Sequence, residues 1–111
     1  MKTDATIVIP TFNGEEFLIE VIEAIFNQKT TKTYELLIID SGSTDRTLEI
    51  IAKYPKIRLH QIPNKEFGHG RTRNLAVEMA NSEFVVFLTQ DATPSHDQWL
   101  DYLLESEQSS I

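Results

Sequence analysis

The residues of this chain best suited to chemistry gather in four short stretches: Pro10-Thr11-Phe12-Asn13-Gly14, Asp40-Ser41-Gly42-Ser43-Thr44-Asp45, the pair Arg71 and Arg73, and Thr89-Gln90-Asp91-Ala92. An arginine presents a planar fork of donors that matches a phosphate or a carboxylate. With a helix starting near Gly70, Arg71 and Arg73 both fall in its first turn, where the dipole disfavours a cation by about 0.3–1 kcal/mol each. A bound phosphate reverses the sign of that term, because free N–H groups and guanidinium groups then face one anion. A hard divalent cation takes carboxylate oxygen, and magnesium needs only one or two carboxylates when water and substrate phosphate complete its shell. Asp91 is the candidate for that role, and Asp40 is the other candidate carboxylate, to stand behind the ion's ligands or to bind a nucleoside. Each stretch also has a structural reading. Asp40 and Ser43 suit a helix cap, Gly68 and Gly70 suit turns, and Asp91 suits a turn before Pro94. His69 and His96 suit ordinary loop positions, and Glu66 or Glu15 would serve as ion-pair partners for the arginines.

The apolar spacing supplies elements to position these stretches. Ala5–Ile9 is a β-branched run, a buried strand ended by Pro10. Phe17/Leu18, Val21/Ile22 and Ile25/Phe26 recur every four residues and predict a helix, with Glu15 and Glu16 favourably placed in its first turn. Glu35–Ile39 predicts a second strand, and a helix with Leu48, Ile51 and Ala52 inward follows it. Lys56–Ile62 alternates apolar and polar residues, as an edge strand does. A third helix is expected from Gly70 to Ala80 and a fourth strand from Glu83 to Leu88. The last helix opens with Ser95 and Gln98 at capping-box spacing and buries Trp99, Leu100, Leu103 and Leu104. Four rounds of strand and helix predict a doubly wound, mainly parallel α/β sheet in the order 3-2-1-4, with the switch point between strands one and four. Ligands bind such sheets outside the carboxyl ends of the strands, and every polar stretch above follows a strand. One domain is expected over residues 1–105, with a frayed polar tail over 106–111. The open apolar edge at Phe84, Val85, Val86 and Phe87 predicts a homodimer.

Composition narrows the function classes. The 111 residues hold 10 basic and 17 acidic side chains, a net charge of −7, which argues against nucleic acid as partner. No apolar run exceeds about five residues, too short for a transmembrane segment. The absence of cysteine excludes disulfides, thiol nucleophiles and thiolate metal sites. No basic-then-apolar leader precedes the first strand, so a cytoplasmic location is expected, with peripheral contact at the inner face of the membrane as a variant.

Taken together, Thr6–Asn13 (TIVIPTFN), Glu35–Thr47 (ELLIIDSGSTDRT), Gly70–Ala76 (GRTRNLA) and Thr89–Ala92 (TQDA) resemble the family 2 glycosyltransferases, inverting enzymes of the GT-A fold. The resemblance covers roughly residues 5–105, and the Asp-Ser-Gly-Ser, Phe-Gly-His-Gly and Thr-Gln-Asp-Ala segments are most similar to its rhamnosyltransferase-type branch. It implies a nucleoside-diphosphate sugar donor such as dTDP-rhamnose, a Mn2+ or Mg2+ ion, and a saccharide or lipid-linked saccharide acceptor. It places Pro10, Thr11 and Asn13 in the nucleoside pocket beside Asp40 and Ser41, and Arg71 or Arg73 near the diphosphate. Thr89 or Gln90 then stands at the first position of the Asp-x-Asp motif, and Asp91 at its last, metal-holding position. Two positions depart from the family pattern: Ser41 replaces a second aspartate, and neither Thr89 nor Gln90 is acidic. The general base that inverting transfer needs lies further downstream in this family, so it is expected beyond Ile111; Asp97 and Glu105 are expected on a helix pointing away from the strand ends.

Two other classes compete. A non-catalytic nucleotide-sugar-binding module would use the same pocket without turnover. A phosphotransfer domain would use Asp40 in a loop weakly similar to the haloacid-dehalogenase type, but the second aspartate of that loop is Gly42 here. Dinucleotide and Walker-type loops fail, since neither Gly-x-Gly-x-x-Gly nor Gly-Lys-Ser/Thr occurs.

Overall fold

The computed structural model describes the backbone of residues 2–109, and the side chains of that range apart from His69 and 106–109. Four strands, β1 (Thr3–Thr11), β2 (Tyr34–Asp40), β3 (Arg58–Gln61) and β4 (Ser82–Phe87), form one parallel sheet in the order β3-β2-β1-β4. That is the order expected from the alternating pattern. Helices α1 (Glu15–Phe26), α2 (Thr47–Ile51), α3 (His69–Met79) and α4 (Trp99–Ser109) connect and flank the strands, and a single 3-10 turn spans Asn64–Glu66.

The period-two alternation of the strands sorts their side chains onto two faces. Ala5, Ile7 and Ile9 of β1 and Leu36 and Ile38 of β2 pack with Leu18, Val21, Ile22 and Ile25 of α1, Ile50 and Ile51 of α2, and Leu100 and Leu104 of α4. Val8, Leu37 and Ile39 face the other way, onto Ala76 of α3 with Leu75, Met79, Val85 and Phe87 around it. Helices therefore cover both faces, and the central strands are apolar on both sides.

The register positions the site. β1 pairs with β2 as far as Thr11 opposite Asp40, but with β4 only as far as Val8 opposite Phe87. The last bond on that side runs from the Leu88 N–H to the Val8 carbonyl at 2.9 Å. Beyond it β1 and β4 part, and Pro10, which has no N–H to donate, sits where β4 no longer asks for one. Pro10 thus lies inside β1 rather than ending it. The parting is the switch point, since α1 leads from β1 to β2 on one side and α3 brings the chain back to β4 on the other.

Three local expectations differ from the fold. α2 is a short helix that turns Ile50 and Ile51 inward and leaves Ala52 exposed. α4 starts at Trp99, without the Ser95 box, because its first donors are taken elsewhere. His96 accepts from the Gln98 N–H at 3.2 Å, and Gln28, just past α1, accepts from the Leu100 N–H at 2.9 Å. A distant glutamine thus does the capping, which no local spacing announces. α4 also runs on through Ser109, so part of the expected frayed tail continues the helix, while Ser110 and Ile111 lie outside the described residues.

Candidate functional site

Where β1 and β4 part, two adjoining cavities form one cleft at the carboxyl ends of the strands. A cavity of about 250 Å³ is lined by Pro10, Phe67, Thr72, Arg73, Phe87, Leu88 and Thr89. Its neighbour, about 430 Å³, is lined by Thr11, Phe12, Ser41, Asn64, Gln90 and Asp91, and shares Pro10, Phe67 and Thr89 with the first. Of the residues expected in the site, Pro10, Thr11, Ser41, Arg73, Gln90 and Asp91 therefore share one cleft. Arg71 lines a separate cavity with Glu66, Asn74 and Glu78 on the flank of α3.

Asp40 and Asn13 are placed differently from the nucleoside-lining role expected for them. Asp40 is fully buried. Its Oδ1 accepts from Thr11 Oγ1 at 2.8 Å and Ser43 Oγ at 2.5 Å, and its Oδ2 accepts from the N–H groups of Gly42 at 3.1 Å and Ser43 at 2.9 Å. The carboxylate thus folds the β2–α2 loop around itself, through Gly42 at φ +95°, which favours glycine. Asn13, at φ 48°, accepts on Oδ1 from the Thr44 N–H at 2.7 Å and the Asp45 N–H at 3.3 Å. An asparagine tolerates this left-handed conformation, and its side chain clamps the β1–α1 loop to the β2–α2 loop.

The same net continues to the other wall. Asp45 accepts from the Thr47 N–H at 2.8 Å, Thr47 Oγ1 at 2.5 Å and the Glu15 N–H at 3.2 Å. Burial pushes the Asp45 carboxyl up, but these hydrogen bonds outweigh it and hold it below its ordinary value. Capping of α2 therefore falls to Asp45 rather than to Asp40 and Ser43. Gln90 grips the backbone of Phe12, accepting from its N–H at 2.9 Å and donating to its carbonyl at 3.1 Å. That grip demands a glycine next door, because a Cβ on Gly14 would stand 2.5 Å from Gln90 Oε1. Ser41 donates to the Thr11 carbonyl through N–H and hydroxyl, at 3.0 and 3.2 Å. The cleft floor is thus built from three cross-braced loops, rigid enough to position a ligand.

The arginines pair with neither Glu66 nor Glu15: among the described residues the ion pairs are Lys29–Asp97 and Arg58–Glu35. Arg73 instead lies over the Phe87 ring, 4.8 Å from its centroid, a contact that orients the guanidinium without neutralising it. The N-cap of α3 is Gly68, which makes no side-chain capping bond. Asp91 is exposed, and its Oδ1 accepts from Thr89 Oγ1 at 3.0 Å. No cluster of three His, Cys, Asp or Glu side chains exists among the described residues. Asp91 alone therefore fits an ion whose shell is otherwise phosphate and water, not one held in a protein cage. Asp97 lies in the turn before α4, paired with Lys29 at 3.4 Å, rather than on the helix. His96 serves that same turn, and the His69 side chain lies outside the described residues.

Thr72 and Asn64 also line the cleft and were not singled out from the sequence, while Phe67 and Phe87 line it too but were read only as part of the Phe-Gly-His-Gly segment and of the open edge of β4. Phe87 reads as an ordinary strand residue, and Thr72 is hidden between two arginines that draw the eye.

The chain matches the family described as glycosyl transferase family 2 over residues 6–108. It belongs to that family. It is 41% identical over 88 residues to the O-antigen chain rhamnosyltransferase RfbN of Salmonella typhimurium, covering 78% of this chain and 28% of that protein. The structure of residues 1–349 of Staphylococcus aureus TarS in complex with UDP superposes with a TM-score of 0.82 at 29% identity, covering 96% of this chain and 32% of that one. A Pyrobaculum calidifontis mannosyltransferase, solved with GDP-Man and Mn2+, shares the fold at TM-score 0.78 and 24% identity, covering 95% of this chain and 32% of that one. The resemblance to the rhamnosyltransferase-type branch and to the GT-A fold is thus borne out. The chain spans less than a third of the length of the curated relatives just named and of their kin. No helix among the described residues is long and apolar enough to cross a membrane.

Proposed function

We propose that this chain is the donor-binding part of a glycosyltransferase, taking a nucleoside-diphosphate sugar such as dTDP-rhamnose for inverting transfer to a saccharide or lipid-linked hydroxyl. The observation that carries the reading is the cleft at the switch point, whose one cavity is lined by an arginine with no ion pair among the described residues and whose other cavity is lined by an exposed aspartate. Pro10, Thr11 and Ser41 form the floor for the nucleoside. Arg73, turned by Phe87, faces the diphosphate, whose charge needs a cation that no carboxylate has claimed. Asp91 would hold Mn2+ or Mg2+, which when bound neutralises the leaving diphosphate. Gln90 fixes the Phe12 backbone and so sets the width of the cleft. The general base belongs, on this reading, to chain beyond Ile111, and the cytoplasmic location is part of the same proposal.

A non-catalytic binding module is the second reading, favoured by Asp91 being the lone carboxylate lining the cleft among the described residues. Titrating dTDP, UDP and GDP with and without Mn2+, followed by amide NMR shifts, tests both readings. Metal-dependent shifts at Thr11, Arg73 and Asp91 support donor binding; shifts confined to other surfaces, or none, overturn it. Hydrolysis or transfer of a nucleotide sugar then separates enzyme from module. Self-association along the outer edge of β4, beside the groove lined by Phe84, Val86, Trp99 and Leu103, is also proposed. A monomer by light scattering at high concentration removes it.

A further inference from the structure

Thr72 is 3% exposed, and its hydroxyl is the buried side-chain polar atom among the described residues that has no hydrogen-bond partner. Leaving such an atom dry costs about 1–3 kcal/mol, and native proteins rarely tolerate it without a use. Its position gives the use. Thr72 stands in the first turns of α3 beside Arg73 and lines both the 250 Å³ cavity, with Pro10, Phe67, Arg73, Phe87, Leu88 and Thr89, and the cavity on the flank of α3. The other polar side chains that the nucleoside reading relies on are already committed. Asp40 receives four donors inside its own loop, and Asn13 Oδ1 is engaged by Thr44 and Asp45. Mostly apolar walls, with Arg73 over the Phe87 ring and one uncommitted hydroxyl, suit a planar heterocycle that carries a carbonyl or ring N–H at its edge.

We propose that Thr72 is a specificity-determining residue that pairs with the nucleobase of the donor through its hydroxyl. The inference rests on the donor-binding reading above and adds to it the group that reads the base. Threonine on a helix divides between two χ1 rotamers in which methyl and hydroxyl trade places, so rotation about one bond lets the dry hydroxyl meet an incoming edge. The hydroxyl both donates and accepts, so it serves a carbonyl oxygen or a ring N–H. A site that hydrogen-bonds its ligand in a dry wall discriminates against ligands lacking the matching group.

The test compares wild type, Thr72→Val and Thr72→Ser, using dTDP, UDP, GDP and inorganic pyrophosphate as probes, each titrated by amide NMR. Thr72→Val is expected to bind the preferred nucleotide about tenfold more weakly, a loss of about 1.4 kcal/mol. It should bind pyrophosphate as wild type does and narrow the preference among the three nucleotides. Thr72→Ser should restore affinity and preference. The unliganded Thr72→Val chain should melt at or above the wild-type temperature, since an orphaned polar atom has been removed. Unchanged nucleotide affinity in Thr72→Val, an equal loss for pyrophosphate, or a clearly lower melting temperature would each overturn the inference while leaving donor binding standing. Wild type that binds neither nucleotide nor pyrophosphate overturns the donor reading itself, and Thr72's role with it.

Discussion

The two ends of the same four-stranded sheet handle buried polarity in opposite ways. At the amino ends, Glu35 accepts from Thr6 Oγ1 at 2.7 Å and from the Asn81 N–H at 2.8 Å, and it pairs with Arg58 at 3.4 Å. Arg58 also donates to the Met79 carbonyl, and Ser82 shares a hydrogen bond with Thr6 at 2.8 Å. Every strand contributes, and the carboxylate meets a cation. At the carboxyl ends, Asp40 is just as thoroughly hydrogen-bonded, but among the described residues it has no cation, Arg73 has no carboxylate and the Thr72 hydroxyl has no partner. One end is closed on itself, and the other is braced beneath but left incomplete at its surface. Incompleteness confined to one rim is what a binding site requires, because a ligand can add only interactions that the protein has not already made.

The comparison breaks hardest at Asp40. Removing its buried carboxylate strands two backbone N–H groups and two hydroxyls in a partly buried loop, so Asp40→Ala is expected to lose about 2–4 kcal/mol of stability. Urea denaturation followed by circular dichroism reads this directly. A loss no larger than that of a surface substitution would mean that the loop does not depend on its carboxylate, and that Asp40 is available to a ligand after all.

Arg73→Ala should show the converse pattern. Its guanidinium supports no ion pair, so the fold should lose only about 0.5–1 kcal/mol, the value of an exposed contact with Phe87. Affinity for dTDP or UDP should fall about 10- to 100-fold, as expected for a charge-assisted hydrogen bond to phosphate. Calorimetric titration of the folded variant checks it. A large stability loss with unchanged affinity would return Arg73 to the scaffold and make the two rims alike.

Asp91→Asn is expected to be milder still and conditional. With Mn2+ present, nucleotide affinity should drop about tenfold, because the amide is a poor ligand for a hard cation; with a chelator present, wild type and variant should bind alike. An equal effect under both conditions would assign Asp91 to direct hydrogen bonding or to its turn with Thr89.

The rim asymmetry was only partly legible in the sequence. Strand order, the switch point and the clustering of polar stretches at one set of strand ends follow from alternating periods of 2 and 3.6, which are local signals. Arg73 and Asp91 were legible because a cation in a first helical turn and a lone carboxylate at a strand end are locally out of place. Asp40 and Asn13 were assigned to a ligand because their types suit one. Three of Asp40's four donors come from Gly42 and Ser43 in its own loop, whereas Thr11, and Asn13's partner Thr44, are about thirty residues away and arrive only through the parallel register. Gln28 capping α4 and Glu35 pairing with Arg58 were hidden for the same reason. Thr72 could not be read at all, because an unmet hydroxyl is a property of its surroundings and not of its neighbours in sequence.

The finest test concerns pH at the closed end. Burial pushes the Glu35 carboxyl up, but hydrogen bonds from Thr6 and the Asn81 N–H, together with the Arg58 charge, outweigh it and leave the group below its ordinary value. A carboxyl lowered on folding binds its proton less readily in the native chain than in the unfolded one. Its contribution is therefore present above the unfolded value, near about 4.3, and is lost as pH falls through the lower, native one. Stability measured in urea at about pH 7 and about pH 3 should thus fall less steeply in Glu35→Gln than in wild type. Asp45 is lowered as well, so Asp45→Asn should remove a separate share of the acid sensitivity, and the double variant should show the sum of the two. Arg58 is partly exposed to solvent, and screening keeps the Glu35 share small. If Glu35→Gln leaves the slope untouched while Asp45→Asn removes all of it, acid sensitivity belongs to the loops of the binding rim, and the closed rim is held by its neutral hydrogen bonds rather than by its charge pair.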